Sequence, residues 1–354
     1  MKILVYADPH WSAYSSIVRG RGEKYSLRLH NLITSINWVE GLAIDEGCQC
    51  ICCLGDFFDR PDLSAEEMTA LQEIQWADMS HIFLVGNHEM ARSDLSITSA
   101  HLFKLCPRAT IVDKYCQYKV DNTEICLLPY ILENDRKPLQ EYFDLYTNTE
   151  AKRIIFSHND IKGIQMGKFI SQEGFEIDEI NDNCNLFING HLHNGGWISE
   201  KICNLGNLTG QNFSENAFLY PHKIMIIDTD TLDYYYYDNP NAMHFYKLDL
   251  SNFQDNDKDC RQINAMIDNL AENSIITCKV PLDLKTMVED LIYSQSKIIS
   301  SRIILDIPKD SNIPSVDDSF KSVDHLDQFC KYIKTEVGST QLIEDELLKV
   351  VGEL

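Results

Sequence analysis

Five short segments of the chain end in residues that can bind metal ions: Asp8-Pro9-His10, Gly55-Asp56, Gly86-Asn87-His88-Glu89, His158 after Phe156-Ser157, and Gly190-His191-Leu192-His193. Two divalent cations about 3.5–4 Å apart can share a hydroxide, orient it for in-line attack on phosphorus and neutralise the charge that develops, which is phosphoester hydrolysis. Such a pair needs a carboxylate between the ions. Asp56 is the candidate bridge, because Gly55 before it lets the backbone turn sharply. Asp8 and His10, two residues apart on extended chain, point to one side and suit one cation. His191 and His193 repeat that spacing, and one of the pair can serve each ion.

Asn87 adds an amide oxygen and His158 an imidazole, a mixed set that suits manganese or another first-row ion better than calcium or magnesium. His88 follows a ligand directly but is directed elsewhere, which makes it the general acid for the leaving oxygen or a stabiliser of the transition state. Glu89 or Asp59 could orient His88 through a hydrogen bond. A lone DxH, GD or GHxH often marks only a turn. The weight lies in all five clusters, each at a predicted strand end. His30, His81, His101, His222, His244 and His325 lack such partners and read as surface or packing residues.

Each cluster follows an apolar run, so each should sit on the loop leaving the C-terminal end of a buried strand, where parallel and mixed sheets place their chemistry. Alternation and apolar runs predict strands at 3–7, 50–54, 82–85, 109–112, 115–120, 125–128, 153–156, 186–188, 201–204, 223–228 and 232–237. Helical spacing predicts helices at 27–44, about 62–77 and 93–105. This order gives an α/β fold, an αββα sandwich of two mixed sheets, over residues 1–240. Asp238-Asn239-Pro240-Asn241 is the turn-rich boundary. A smaller α+β region follows at 245–310, with strands at 246–250, 274–280 and 303–307 and helices at 260–273 and 284–293. Two C-terminal helices, 323–337 and 340–351, fill a last segment at 320–354. The Tyr234 to Tyr237 run reads as a strand with rings alternately buried and exposed, in preference to a base-stacking platform.

The formal charge of −23 argues against broad nonspecific attraction to phosphate backbones. The charge is uneven: residues 1–30 hold five basic side chains (Lys2, Arg19, Arg21, Lys24, Arg28) against two acids. Arg19, Arg21, Lys24 and Arg28 could form a basic lip beside the metals that admits DNA, or an ordinary solvated face. Twelve cysteines without a secretory signal read as reduced thiols, and Cys48, Cys50, Cys52 and Cys53 as the buried strand presenting Asp56. Asp8 comes too early for a signal peptide, and no window is long and apolar enough to cross a bilayer, so a soluble cytoplasmic protein is expected.

The set DxH, GDxxD, GNHE, H and GHLH, at Asp8/His10, Asp56/Asp59, Gly86 to Glu89, His158 and Gly190 to His193, resembles the calcineurin-like metallophosphoesterase superfamily. Within it the chain looks most like SbcD-type nucleases and the recombination endonuclease subunits of bacteriophages. Leu127-Leu128-Pro129-Tyr130 and the segment from Gly206-Asn207 to Ser214-Glu215 add to the likeness. The resemblance implies a manganese-dependent exonuclease and endonuclease that processes DNA ends with an SbcC-type coiled-coil ATPase. It implies that Asp8, His10, Asp56 and His193 take one metal, that Asp56, Asn87, His158 and His191 take the other, and that His88 is catalytic. It further implies a homodimer through the helices at 64–77 and 93–105, a DNA-capping region after about residue 245, and C-terminal helices that dock on the ATPase. A phage-encoded protein acting in the bacterial host cytoplasm fits this branch. The chain departs from it in Gly206-Asn207, where relatives often carry Gly-Ser, and in its acidity. Two other classes stay open: a phosphatase or phosphodiesterase acting on a protein, nucleotide or other small phosphoester, and a noncatalytic scaffold, against which the complete ligand set and His88 argue.

Overall fold

Strand β1 (Lys2–Tyr6), β2 (Cys50–Cys53), β3 (Ser80–Leu84) and β4 (Ala109–Val112) lie parallel in that order. The chain then builds a second sheet from β5 (Cys116–Val120), β6 (Thr123–Leu128) and β7 (Lys152–Ser157). A two-stranded hairpin, β8 (Gln165–Met166) with β9 (Phe169–Ile170), interrupts it, and β10 (Leu186–Asn189), β11 (Gly196–Trp197) and β12 (Ile202–Asn204) complete it. The last strands of the main body, β13 (Lys223–Asp228) and β14 (Tyr234–Asp238), return to the first sheet. The sheet orders are β14-β13-β1-β2-β3-β4 and β11-β12-β10-β7-β6-β5. Each has four parallel strands and antiparallel strands only at its margins. The structure is a computed structural model, which describes residues 1–92, 95–106, 108–143, 151–166 and 169–306.

Period-two alternation explains the layering. Ile3, Val5, Cys50, Cys52 and Leu54 meet Ile125, Leu127, Ile154, Phe156, Leu186 and Ile188 between the two sheets. The opposite faces of the same strands turn outward. Leu4, Tyr6, Ile51, Cys53 and Phe83 pack under helix α1 (Leu27–Asp45), which contributes Leu29, Leu32, Ile36 and Val39. Cys126, Ile155 and Phe187 pack with Ile180 of a short helix, Ile177–Asn183. The result is the αββα sandwich, and the crowded cysteines are apolar filling: Cys50, Cys52 and Cys53 are all free and buried.

Beyond the sandwich, residues 244–306 form a three-stranded sheet of β15 (His244–Asp249), β16 (Ser274–Pro281) and β17 (Ile298–Asp306). Two further helices, Asp257–Asp268 and Lys285–Ser294, cover it around Leu248, Ile263, Ile267, Ile276 and Val288. The expected helices at 323–337 and 340–351 lie outside the described residues.

Three local expectations need correction. The helix expected over 62–77 is α2 (Ala65–Ala70) followed by one 3-10 turn, Leu71–Glu73. Asn37 and Glu40 of α1 capture the amides of Gln75 (2.7 Å) and Ala77 (2.9 Å), so those residues pair with side chains instead of continuing the helix. The helix expected over 93–105 is a 3-10 segment, Ser99–Leu105, begun by Thr98, whose hydroxyl accepts from Ala100 N. Before it, Ala91 N donates to Ile97 O at 2.9 Å, and residues 93 and 94 of the expected helix lie outside the described residues. The tyrosine run does not alternate, since Tyr234 and Tyr235 are both exposed while Tyr236 and Tyr237 are half-buried.

Candidate metal centre

All five clusters leave the C-terminal ends of parallel strands, and they meet at one end of the two sheets. Backbone bonds join the first two loops: Asp8 N donates to Gly55 O, His10 N to Asp56 O and Trp11 N to Phe57 O. Asp8, His10, Asp56 and His191 adopt positive φ values of 50°, 49°, 47° and 70°. Non-glycine residues hold this conformation at a cost of order 1–3 kcal/mol each, and such strain collects at functional sites. Glycine gives the clearance between loops. A Cβ on Gly86 would lie 2.1 Å from Asp56 Oδ1, and one on Gly55 would lie 2.3 Å from His158 Nδ1.

Three groups of donors converge, one of them His10, Asp56 and His88. In the other two, Asp8, His10 and His193 each offer a ligand atom within 4.8 Å of the others, and so do Asp56, His158 and His191. Asp56 lies between these two groups, its Oδ2 3.2 Å from His158 Nε2 and 3.8 Å from His10 Nε2. Asn87 Oδ1 lies 3.3 Å from His158 Nε2, which places the amide with the second group. The seven expected ligands are thus brought together.

The residues suit divalent cations on the orientation of their rings. His10 Nε2 and His193 Nε2 face each other at 3.1 Å. His10 gives its other nitrogen to Asp59 Oδ1 (3.2 Å), His193 Nδ1 lies 3.6 Å from Glu215 Oε1, and His158 Nδ1 donates to Leu54 O (2.8 Å). Donation from one ring nitrogen leaves the lone pair on the other, the geometry that carboxylates and carbonyls impose on metal-binding histidines. His191 follows the same rule with the opposite nitrogen, its Nε2 3.1 Å from Asp160 Oδ1. Burial works against charge on Asp56, but the His158 ring beside it prevails and holds the carboxyl well below its ordinary value.

His88 stands at the open side, with its side chain 44% exposed and its ring 4.6 Å from that of His10. Its backbone N donates to Asp56 Oδ1 (2.9 Å), and its Nδ1 donates to the carbonyl of Asp59 (3.0 Å). Asp59 therefore bonds His88 through its backbone and His10 through its carboxylate, which also lies 3.8 Å from His88 Nδ1. Glu89 does not reach the His88 ring, contrary to expectation. It is buried, and its two oxygens accept from Phe58 N (3.1 Å) and Gly86 N (2.8 Å), so it fastens the second loop to the third. That burial, with the Asp56 charge, pushes its carboxyl up to about 8.

The expected basic lip is largely committed. Arg28 is buried in the first turn of α1 and donates to Pro9 O and Gly210 O, both at 2.9 Å, so it braces the first loop from behind and is no surface contact. Arg21 pairs with Glu66 and Lys24 with Glu73. Arg19 is exposed, and its Nε donates to Ser16 O.

Sequence reasoning missed two carboxylates. Asp160 lies two residues beyond His158, close enough to have been flagged. Glu215 had only its place in the segment after Gly206 as a signal; buried, it accepts from Asn207 Nδ2 and Gln211 N besides facing His193. Asn189 was also unflagged: its amide group exchanges bonds with the backbone of Asn159 and so joins the loops after β7 and β10.

Residues 1–227, the whole stretch that carries these loops, match the family described as calcineurin-like phosphoesterase. The chain belongs to that family. Calcineurin-like phosphoesterases are metal-dependent hydrolases with a dimetal centre, and this chain carries His and Asp clusters able to hold one. A protein described as a phosphoesterase, 078R of Invertebrate iridescent virus 3, is 27% identical over 142 residues, 38% of this chain; the match spans 39% of that relative's length. The crystal structure of TT1561 of Thermus thermophilus aligns with a TM-score of 0.39 at 9% identity, covering 67% of this chain and 98% of that one. A dimetal phosphatase from Danio rerio aligns with a TM-score of 0.38 at 13% identity, covering 68% and 99%. Among the described residues no helix is long and apolar enough to cross a membrane.

Proposed function

We propose that this phosphoesterase is a manganese-dependent DNA nuclease of the SbcD type, an exonuclease and endonuclease that processes DNA ends in recombination and repair with an SbcC-type coiled-coil ATPase. The observation that carries the reading is the seat of the three-stranded unit. Gly210 N donates to Met243 O (2.9 Å), Ala217 N to Phe245 O (2.7 Å) and Lys247 Nζ to Ser214 O (2.6 Å). Those bonds fasten β15 to the loop whose Glu215 faces His193. A unit fixed to a ligand-supporting loop can hold a DNA strand against the centre, a service that a small phosphomonoester does not need. Homodimerisation through 64–77 and 93–105, a domain division at about 240, and ATPase docking by 320–354 belong to the same proposal.

In this reading Asp8, His10, Asp56 and His193 would hold one cation, and Asp56, Asn87, His158 and His191 would hold the other. When bound, the two ions supply Lewis-acid activation of water and neutralise charge at phosphorus. The protein's own part is orientation. Asp59, Asp160, Glu215 and the Leu54 carbonyl fix the ring nitrogens. Because the Asp59 carbonyl engages His88 Nδ1, Nε2 is the atom from which His88 passes a proton to the leaving oxygen.

The net charge of −23 favours a second reading, a phosphatase or phosphodiesterase acting on a protein, nucleotide or other small phosphoester, since a DNA backbone is repelled by an acidic body. The pure protein should be incubated with manganese and single-stranded, blunt and hairpin DNA, beside a simple phosphodiester and a phosphomonoester. The nuclease reading expects cleavage of DNA and diester, faster with the ATPase present. Hydrolysis of the monoester with DNA left intact would overturn it in favour of the second.

A further inference from the structure

Beside the centre, a cleft of about 370 Å³ opens from His191 and His193 and runs to Trp197 and Tyr220. That volume falls within the range of about 300–1,000 Å³ typical of small-molecule sites. Among the described residues its lining holds no Asp, Glu, Lys or Arg, so in this strongly acidic chain it is a place where an anionic strand meets no carboxylate. Trp197 remains 38% exposed and Tyr220 36%.

Trp197 is nevertheless held. The Tyr234 ring lies 5.1 Å away at a 40° tilt, and the Tyr236 ring packs in turn on Tyr234 at 5.6 Å. Tyr234 and Tyr236 sit two apart on β14 and so share a face. The edge strand of the first sheet thus braces an indole on the edge strand of the second, and part of the tyrosine run has a function as that brace. Between His193 and Trp197 the chain is Asn194-Gly195-Gly196. A Cβ on Gly196 would meet no atom within 4 Å, so the chain leading to Trp197 borders open space.

We propose that this cleft is a nucleobase subsite, in which the braced face of Trp197 stacks a base of single-stranded nucleic acid while a neighbouring phosphate lies at the cations. The proposal rests on the nuclease reading of the same centre. Stacking on an aromatic face is tolerant of sequence, because every base has a π-face, and it requires no positive charge from the protein.

Binding of a fluorescent single-stranded oligonucleotide, in chelator so that nothing is cut, should be compared with that of the same strand made abasic. Wild type should prefer the base-bearing strand, and Trp197→Ala should weaken its binding by about 5- to 150-fold, the usual range for one stacked base. Trp197→Phe should recover most of the loss, and the abasic strand should bind wild type and Trp197→Ala alike. With manganese added, the KM ratio of the two strands should collapse in Trp197→Ala and be kept in Trp197→Phe. If wild type binds both strands equally yet cuts them, the subsite is wrong and the nuclease reading stands. If neither strand is cut, the nuclease reading fails and the subsite falls with it.

Discussion

His10 and His193, 183 residues apart in the chain, bring their Nε2 atoms to 3.1 Å from each other in one loop cluster. Each ring has a carboxylate behind it, Asp59 for His10 and Glu215 for His193, so both lone pairs are directed at the same small space. With a proton on one ring the two nitrogens share a hydrogen bond, and with a cation bound both lone pairs can face it. The pair thus has the geometry of two neighbouring ligands of one cation.

If Glu215 acts by orienting His193, its loss should weaken the centre without dismantling it. Glu215→Gln should reduce cation affinity by about 10- to 100-fold, as expected for a partner behind a ligand. Asp160→Asn should do the same through His191. Isothermal titration with manganese measures both, and unchanged isotherms would remove the orienting role.

His88 should separate catalysis from binding. His88→Ala should lower kcat by about 10²- to 10⁴-fold while both cations are retained. Loss of metal from that variant, measured by elemental analysis, would place His88 among the ligands instead.

Without cations, the buried His158 ring should hold a proton. Burial lowers its pKa, but the adjoining Asp56 carboxylate outweighs burial and raises it from 6.5 to about 9. A raised histidine contributes stability that is fully present below its unfolded value and lost as pH rises through its folded value. The Tm of metal-free protein should therefore fall between pH 6.5 and about 9, by the equivalent of at most about 3 kcal/mol, and His158→Gln should flatten that slope. The same proton competes with the cation, so manganese affinity should climb over that interval. A Tm independent of pH in chelator would contradict the ion pair.

Gly86→Ala should disturb the centre through the bridge. The added methyl would fall 2.1 Å from Asp56 Oδ1, so that carboxylate must move. Cation binding and activity should be lost at temperatures where circular dichroism still reports a folded chain. Retention of wild-type affinity would show that Asp56 is not held where the structure puts it.

The convergence of the seven candidate ligands was legible in the sequence because each follows an apolar run, and the end of a parallel strand is where such a run must turn. The helix 27–44 was equally readable, since its apolar spacing matches the face that packs on β1 and β2. Glu89, Arg28, Glu215 and the end of α2 were not. Each depends on which backbone group lies opposite it, as with Glu89 against Phe58 and Gly86, or Asn37 against Gln75, and that depends on contacts distant in sequence. Periodicity reports which face is buried; it does not report what a buried polar group meets.

Anomalous diffraction from crystals soaked in manganese tests the central claim most directly. The account predicts two peaks roughly 3.5–4 Å apart, one between His10 and His193 and one between His158 and His191, with Asp56 touching both. A single peak, or peaks away from these side chains, would contradict it.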